Sequence, residues 1–392
     1  MKRMHTFLFY CAVYIGMFDL TIFSTSNSIG QIITFLMLLF LEWPIVKKKL
    51  IKPLLVLFSF LIVAMLLLLY HDEGVYHYTF ILLKTSIIFF NIIIISFSII
   101  SKNSKEDIAN FIIIVFFIQA LSLVLYSNEY YQLFRNFFLS ARSPHLADNF
   151  GDYFWYRDAT LSNQGYSGYA LGALPLVLIS IIKITDSKLF SFNYIISVIA
   201  CGLGIAIAMI NGRSTFLFIP LYILYLILSP KEIKGIYKIL PVFLFVIILI
   251  IIILSSFDIS KHFVLAFFEE KNSSYGIESV NDLMTNHTIL HFDITLFGLG
   301  QYMNSNGKAY VLSDIGFYRQ LAVGGIFLVI FYISICYMSL RLFLSKLYTL
   351  FPLFIILLSN FKQEAFNNTM LIYGIFLLSC YLVIKNNKTE LE

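Results

Sequence analysis

Residues 78–100 read YTFILLKTSIIFFNIIIISFSII, an apolar run that contains one lysine and no acidic residue. A helix of about 20 apolar residues spans the hydrocarbon core of a bilayer, so this run predicts a transmembrane helix. Few of the apolar runs alternate with a period of two residues, which disfavours a β-barrel. The predicted fold is therefore all-α and polytopic, with about twelve transmembrane helices. The predicted spans are 5–24, 30–47, 52–70, 78–100, 108–126, 165–183, 191–211, 214–229, 237–255, 317–339, 346–361 and 365–384.

The composition also indicates an integral membrane protein. Hydrophobic residues make up 59% of the chain and charged residues 12%, with a mean hydropathy of +0.86. A soluble domain is about half apolar and about one quarter charged. Because no long polar block flanks the apolar runs, residues 1–392 are predicted to form a single transmembrane domain. The net charge of +5 does not indicate nucleic-acid binding, since the basic residues lie in short clusters between runs.

The cysteines and histidines predict neither disulfides nor a metal site. All four cysteines lie inside apolar runs, without a CxxC or Cys/His spacing (Cys11, Cys201, Cys336 and Cys380). His287 and His291 have the i, i+4 spacing of metal ligands, but no HExxH motif contains them, so solvated surface is the preferred interpretation. We therefore expect no metal and no cofactor.

The distribution of basic residues predicts how the spans are oriented. If the N-terminus is cytoplasmic, 17 of the 27 lysines and arginines fall in short inner segments, nine fall in outer segments, and one lies within a run. Both termini are then cytoplasmic. Two long loops, 127–164 and 256–316, lie on the outer face and are expected to be partly helical.

The first long loop carries aromatic and polar residues beside an arginine. Trp155 and Tyr156 end a run of four aromatic residues that continues directly into Arg157. The aromatic run is either a belt at the lipid headgroups or a platform on which sugar rings stack. Asn163 and Gln164 follow, with glycines that permit the close approach of a helix or a ligand. Arg157 either contacts lipid headgroups or belongs to a binding site.

A second arginine, Arg213, stands between two predicted spans with almost no loop. The turn at 211–215 puts it at the N-terminus of the next helix, where free N–H groups attract anions. A guanidinium there would form a phosphate site by two independent means. The alternative is an outer arginine that extends to water.

Polar residues within the runs indicate polar space between the helices. Lys84 lies about two turns inside its predicted span. Its ammonium group either snorkels outward or lines a cavity. Asp19, Asn91 and Gln119 are further pointers of the same kind.

The second long loop returns to the membrane through Asp314 and Arg319. These residues are five apart, so they are neighbours in a helix without forming an i, i+4 pair. Either they form a mutual salt bridge, or they belong to a site that includes the Gly-rich turn LFGLG at 296–300.

Three patches of the chain match one family pattern. RDATLSNQGYSGYALGALPL at 157–176 has an arginine that leads into a Gly-rich span with Arg-x10-Gly spacing. NGRSTFLFIPL at 211–221 opens a helix with Gly212-Arg, where the family has Ser-Arg. LFGLG and then SDIGFYRQLAVGGI, at 313–326, form a closing Gly turn and a Gly-Gly helix. With its predicted topology, the chain resembles the bacterial O-antigen polymerase (Wzy-type) and O-antigen ligase superfamily.

The resemblance implies a metal-independent glycosyltransferase of the bacterial inner membrane. It implies that a growing undecaprenyl-diphosphate-linked glycan is transferred onto a new lipid-linked repeat unit at the periplasmic face. The diphosphate would leave against fixed cations, for which Arg157, Arg213 and Arg319 are the catalytic candidates, with Lys84 in support. Asp314 is the expected acceptor of the proton from the attacking hydroxyl.

Sugar binding would fall to the polar and aromatic candidates, Lys84, Trp155, Tyr156, Asn163 and Gln164. The implied partners are the undecaprenyl-diphosphate-linked oligosaccharide and a membrane protein that regulates chain length, without nucleic acid. Ligases of the family carry a histidine near the end of the second loop, where this chain has Ser313-Asp314, which favours a polymerase. An O-antigen ligase and a flippase or transporter of lipid-linked oligosaccharides are the alternatives.

Overall fold

The computed structural model describes residues 2–20, 29–71, 76–102, 104–126, 128–139, 160–162, 166–256, 293–302 and 315–389. Every regular element within these ranges is a helix, which confirms the all-α class. The α-helices are α1 (Lys2–Phe18), α2 (Ile29–Leu41), α3 (Trp43–Lys49), α4 (Ile51–Tyr70), α5 (Tyr76–Lys102), α6 (Lys105–Val124), α7 (Glu129–Phe138), α8 (Tyr166–Asp186), α9 (Phe192–Asn211), α10 (Phe218–Leu228), α11 (Leu240–Ser256), α12 (Gly316–Arg341), α13 (Lys346–Asn360) and α14 (Thr369–Thr389). Short 3-10 helices, Arg213–Leu217, Pro230–Ile239 and Ala365–Asn367, precede α10, α11 and α14.

Seven of the described helices are long and apolar enough to cross a membrane, namely α4, α5, α6, α8, α9, α12 and α14. Helices α1, α10 and α13 are apolar but shorter, and α2 with α3 forms a bent pair that could make one further span. Each of the twelve predicted runs contains at least one helix. Length and hydropathy thus support a multi-pass membrane protein, and membrane crossing by the shorter helices stays a prediction.

Burial separates a central helix from a peripheral one. The apolar window of α8 is 100% buried, and this helix packs against α9 and α14. Only 33% of the corresponding window of α4 is buried. Its Ile51, Leu55 and Phe58 are exposed and recur at helical spacing, so they form one outward face. Such a face fits contact with lipid rather than with protein.

The predicted span at 30–47 is divided by a bend. Helices α2 and α3 meet at 94°, and Glu42 lies between them with its side chain buried. Pro44 lies in the first turn of α3, where its missing N–H leaves no helical hydrogen bond broken. Glu42 accepts a hydrogen bond of 2.6 Å from Nζ of Lys102. The hydropathy of the run did not predict this bend, because the residues on both sides of Glu42 are apolar.

Helix α12 is interrupted at Gly325, which has a φ of +62° and a ψ of −157°. The segment 293–302 lies against the interruption and supplies hydrogen-bond partners for the freed backbone groups. Gly298, with a φ of +74°, faces the break so closely that a Cβ added there would meet backbone atoms of Gly325. The backbone hydrogen bonds are Leu299 N–H to Ala322 O (2.7 Å), Gly300 N–H to Val323 O (3.0 Å), Ile326 N–H to Thr295 O (3.2 Å) and Phe327 N–H to Leu296 O (3.0 Å).

Polar contacts divide the bundle into two ends. At the lysine end, salt bridges pair Lys102 with Glu42, Lys105 and Lys385 with Asp186, and Lys183 with Glu106. The loop end holds the C-termini of α1 and α13 and the N-termini of α5, α8, α12 and α14. Two hydrogen bonds tie it together: Asn368 Nδ2 donates to Gly168 O (2.8 Å), and Thr369 Oγ1 donates to Met17 O (3.0 Å).

The described part of the first predicted loop contains one α-helix, α7. It begins after Asn128, whose Oδ1 accepts a hydrogen bond of 3.1 Å from the backbone N–H of Tyr131. Tyr130, Leu133 and Phe134 are exposed along it, whereas Arg135 is buried. Part of this stretch is thus helical, and its location in a loop outside the membrane stays a prediction.

Candidate functional site

A buried ion pair joins α1 to α5 at the loop end. Nζ of Lys84 lies 2.5 Å from Oδ2 of Asp19, and the Asp19 side chain is 1% exposed. Nε2 of Gln31 donates to the other carboxylate oxygen at 3.2 Å. The charge of Lys84 is therefore compensated by Asp19 within the bundle, while the lysine side chain keeps 21% of its surface exposed. Both residues belong to the polar interior that the sequence indicated.

Gln31 connects this pair to the neighbouring helices. Its Nε2 also donates to the carbonyl of Gly16 at 2.6 Å. Tyr373 OH, from α14, donates to Oε1 of Gln31 at 3.0 Å, and Asn91 Nδ2 donates to its backbone carbonyl at 3.0 Å. A glutamine that bonds through its amide nitrogen, amide oxygen and backbone carbonyl has little freedom to reorient. The network thus fixes Asp19 relative to α2, α5 and α14.

A second buried carboxylate, Glu364, lies between α13 and α14. Its Oε2 is 3.9 Å from a guanidinium nitrogen of Arg319 and accepts a hydrogen bond of 3.0 Å from Tyr302 OH. The side chain of Glu364 is 8% exposed and that of Arg319 is 25% exposed. Among the described residues, Glu364 thus forms an ion pair with Arg319, and the sequence did not predict this pair. The predicted alternative, a salt bridge between Arg319 and Asp314, lies outside the described residues.

Hydrogen bonds from α5 reach the turn that contains Glu364. Thr85, the residue after Lys84, donates through Oγ1 to Oδ1 of Asn367 at 3.0 Å. Tyr78 OH donates to Tyr332 OH at 3.1 Å, and the ring of Tyr332 stacks on Phe366 at 4.6 Å between centroids. Residues beside the Asp19–Lys84 pair thus contact residues beside the Arg319–Glu364 pair. Helix α5 supplies the side chains that connect the two regions.

The start of α12 is held to the end of α13 by an amide pair. Nδ2 of Asn360 donates to Oε1 of Gln320 at 3.1 Å, and Oδ1 of Asn360 accepts from the backbone N–H of Ala365 at 3.0 Å. Gln320 directly follows Arg319. The pair therefore fixes the backbone that carries the arginine and, through Ala365, the backbone beside Glu364.

Arg213 begins the 3-10 helix Arg213–Leu217, which packs against α8 and α9 and continues into α10. The backbone therefore confirms the predicted helix start. The helix that follows α10, Pro230–Ile239, contacts the lysine end, because Nζ of Lys238 donates to the carbonyls of Thr185 and Ser187 at 2.8 Å. Since α10 separates the two 3-10 helices, Arg213 lies at the loop end.

The other selected residues lie outside the described ranges: Trp155, Tyr156, Arg157, Asn163, Gln164 and Asp314. The nearby described residues 160–162 are anchored to α6. Gln119 donates through Nε2 to the carbonyl of Leu161 at 3.1 Å and accepts from its N–H at 2.9 Å. The structure therefore describes three of the predicted site positions, namely Lys84, Arg319 and the backbone of Arg213. All three belong to the loop end.

Burial affects the titration of the Glu364 site, which lies outside the membrane-spanning segments. Burial raises the pKa of the Glu364 carboxyl, while the charge of Arg319 and hydrogen bonds from Tyr302 and Asn367 oppose the rise. Burial also raises the pKa of the Tyr302 phenol, and the charge of Glu364 adds to that effect. The phenol is therefore a hydrogen-bond donor, and the carboxyl is the group here that can accept or release a proton.

Within the described ranges, no group of three or more His, Cys, Asp or Glu could hold a metal ion. Glu364 was missed because hydropathy treats the polar turn between two apolar runs as a connection. Its signal was a single acidic residue in that short turn. In comparisons with known proteins, no family model, no curated protein and no solved structure matches this chain.

Proposed function

We propose that the protein is a polysaccharide polymerase of the bacterial inner membrane, with twelve spans and both termini in the cytoplasm. It would transfer a growing glycan from undecaprenyl diphosphate onto a new lipid-linked repeat unit at the outer face. The O-antigen polymerase resemblance of the three sequence patches is the source of this proposal. The substrates would be presented at the loop end, which is the end where both long loops leave the bundle.

One observation carries the proposal: Lys84, Arg319 and the backbone of Arg213 occur at the same end of the bundle. A lipid diphosphate needs a lipid-accessible site with fixed positive charge, and this end supplies both an apolar surround and cations. Lys84 and Arg319 are each paired with a buried carboxylate, so their charge is partly compensated. We therefore assign the main stabilisation of the leaving diphosphate to Arg213 and Arg157.

The reaction is a displacement at the anomeric carbon of the donor glycan. An acceptor hydroxyl oxygen forms the new glycosidic bond while the bond from that carbon to the diphosphate oxygen breaks. The diphosphate leaves with the bonding electron pair, next to the arginines, and the hydroxyl proton passes to Asp314. Trp155 and Tyr156 would stack against the sugar rings.

The remaining candidates supply orientation. Asn163 and Gln164 would hydrogen-bond to sugar hydroxyls. Arg319 is paired with Glu364, which accepts a hydrogen bond from Tyr302, and would bind an anionic substrate group in a fixed direction. Lys84 would hold the polar interior open through its pair with Asp19.

The surface glycan of a deletion strain tests this function. Loss of a polymerase leaves single repeat units on the cell surface, and complementation with the wild-type gene should restore long chains. Long chains that remain on the lipid carrier would instead identify a ligase. An unchanged surface polysaccharide would exclude every role in its assembly.

A second candidate function, transport of lipid-linked oligosaccharides, is favoured by the interruption of α12 at Gly325. Transporters place substrate sites at interrupted helices and at buried charges, and the Asp19–Lys84 pair is such a buried charge. In a transporter, deletion would trap repeat units inside the cell. Labelling of sugars on intact cells, compared with labelling on lysed cells, distinguishes repeat units at the surface from repeat units trapped inside.

A further inference from the structure

Four lysines surround the junction of α3 and α4 at the lysine end: Lys47, Lys48, Lys49 and Lys52. All four are exposed. Because α3 turns 94° away from α2, Lys47, Lys48 and Lys49 lie on a short helix that crosses the direction of the span before it, and Lys52 lies in the first turn of α4. Trp43, at the start of α3, is also exposed, as expected of an aromatic residue at a membrane–water interface.

Among the described residues, these lysines have no anionic partner, unlike neighbouring lysines at the same end of the bundle. Lys102, Lys105 and Lys385 each lie within 3.3 Å of a carboxylate oxygen. In the described part of the chain, no salt bridge joins any of the four junction lysines to a carboxylate. A compact positive charge therefore remains at the junction that the described side chains do not neutralise.

Two of the lysines converge on one aromatic ring. Nζ of Lys49 lies 5.6 Å and Nζ of Lys52 lies 5.7 Å from the centroid of the Phe97 ring. Both distances are in the range of cation–π attraction. Both ammonium groups therefore lie near the same ring, and a single anionic group beside that ring would be attracted by both charges.

The same junction opens onto an apolar face. Ile51, beside Lys52, begins the exposed stripe of α4 that continues through Leu55 and Phe58. A ligand that places a negative group at the lysines would therefore have its adjoining part against this stripe. A phospholipid has this combination of an anionic headgroup and an acyl chain, whereas a free phosphate has only the first part.

We propose that the junction of α3 and α4 is a binding site for an anionic phospholipid. Its phosphate is held between Lys49 and Lys52, and an acyl chain lies along Ile51, Leu55 and Phe58. Lys47 and Lys48 add to the attraction for the headgroup. Basic clusters at the ends of membrane helices bind anionic lipids through this combination of charge and apolar contact. The site is independent of any enzymatic or transport activity at the loop end.

Native mass spectrometry of the purified protein, titrated with phosphatidylglycerol and separately with phosphatidylcholine, tests the site. The wild type should retain phosphatidylglycerol in preference. Lys49→Gln/Lys52→Gln should weaken that binding about 30-fold, since each lysine near an anionic lipid contributes about fivefold. The matched control is Lys188→Gln/Lys234→Gln, which removes two exposed lysines elsewhere at the lysine end. Equal weakening by the control would overturn the site, because bulk surface charge would then explain the binding.

Two further measurements test the acyl-chain part of the proposed site. Glycerophosphoglycerol in solution carries the same phosphodiester headgroup, with its single negative charge, without an acyl chain. If it competes with phosphatidylglycerol at equal concentration, the site is a phosphate site and the proposal is overturned. Photo-crosslinking of wild-type protein with an acyl-chain diazirine phosphatidylglycerol needs no variant. It should label residues 51–58, and labelling elsewhere alone would contradict the assignment.

Discussion

Nζ of Lys84 lies 2.5 Å from Oδ2 of Asp19, although 65 positions separate the residues in sequence. The lysine comes from α5, and the aspartate follows the last residue of α1. Because the aspartate is buried, either charge would be costly if the other were removed. This relationship makes the ion pair a structural requirement of the loop end as well as a candidate part of the site.

Replacing one partner of this pair should destabilise the protein more than replacing both. Asp19→Asn or Lys84→Met is expected to lower the free energy of unfolding by about 3–5 kcal/mol, because a buried charge is left unpaired. The double variant should lose less than the sum of the single losses. Thermal unfolding of the four proteins in one detergent measures the coupling. Strict additivity would show that the residues are not energetically linked.

The interruption of α12 should be sensitive to added methyl groups. Gly325→Ala forces a non-glycine residue into a positive φ, which costs about 1–3 kcal/mol. Its Cβ would also collide with the carbonyl oxygen of Thr295. Gly298→Ala disturbs the same contact from the other side, so the double variant should cost less than the sum. Unfolding temperatures that are unchanged in both single variants would contradict the described break.

Glu364 should make stability depend on pH. Burial raises its pKa in the folded protein, so above about pH 4.3 the folded state binds more protons than the unfolded state. The stability contribution of Glu364 is therefore fully present below that pH and is lost as the pH rises through the raised pKa. Glu364→Gln should flatten this fall. Unfolding curves of wild type and variant across pH measure the difference, and parallel curves would contradict the assignment.

Arg213→Ala should impair polymerisation at unchanged protein level. Removal of a donor that stabilises developing charge typically lowers the rate by about 10²–10³. Surface polysaccharide should then shift towards single repeat units in a complemented deletion strain. Lys362→Ala, which removes an exposed cation at the loop end, is the matched control and should leave chain length unchanged. Full-length polymer from Arg213→Ala would remove this arginine from the mechanism.

Asp314→Asn tests the proposed proton acceptor. The amide keeps the size of the side chain but cannot take a proton, so the variant should produce short chains at normal expression. A rate that no longer rises with pH, measured with purified protein and lipid-linked substrate, would separate loss of the base from loss of folding. Normal chain lengths in this variant would leave Asp314 with a structural role.

The apolar runs predicted the helices well, because burial in a membrane and helical hydrogen bonding depend on local sequence. The helix that begins after Ser104 also has a local cause, since Ser104 and Asp107 form a capping box. The bend at Glu42 was not predicted. Its buried carboxylate is paired with Lys102, from the far end of α5, and no pattern within 30–47 reports that partner.

The charged residues of the candidate site were partly predictable, and their pairing was not. Lys84, Arg319 and Asp19 stood out in the sequence because charge is rare in apolar runs. The pairing of Lys84 with Asp19, and the part played by Glu364, could be identified only after folding brought α1 to α5 and the turn before α14 to α12. Pairing across such separations depends on how helices pack, which periodicity within one helix does not encode.

Helix α12 depends on the neighbouring segment 293–302 to complete its hydrogen bonds at Gly325. A helix with an internal gap would expose polar backbone to hydrocarbon, yet here Thr295, Leu296, Leu299 and Gly300 fill the missing positions. Segment 293–302 and α12 are therefore joined by four backbone hydrogen bonds, and they cannot separate without breaking all four. Tyr302, two residues after Gly300, donates a hydrogen bond to Glu364, and Glu364 in turn forms an ion pair with Arg319. A displacement of segment 293–302 would therefore be transmitted to the guanidinium of Arg319 through two contacts.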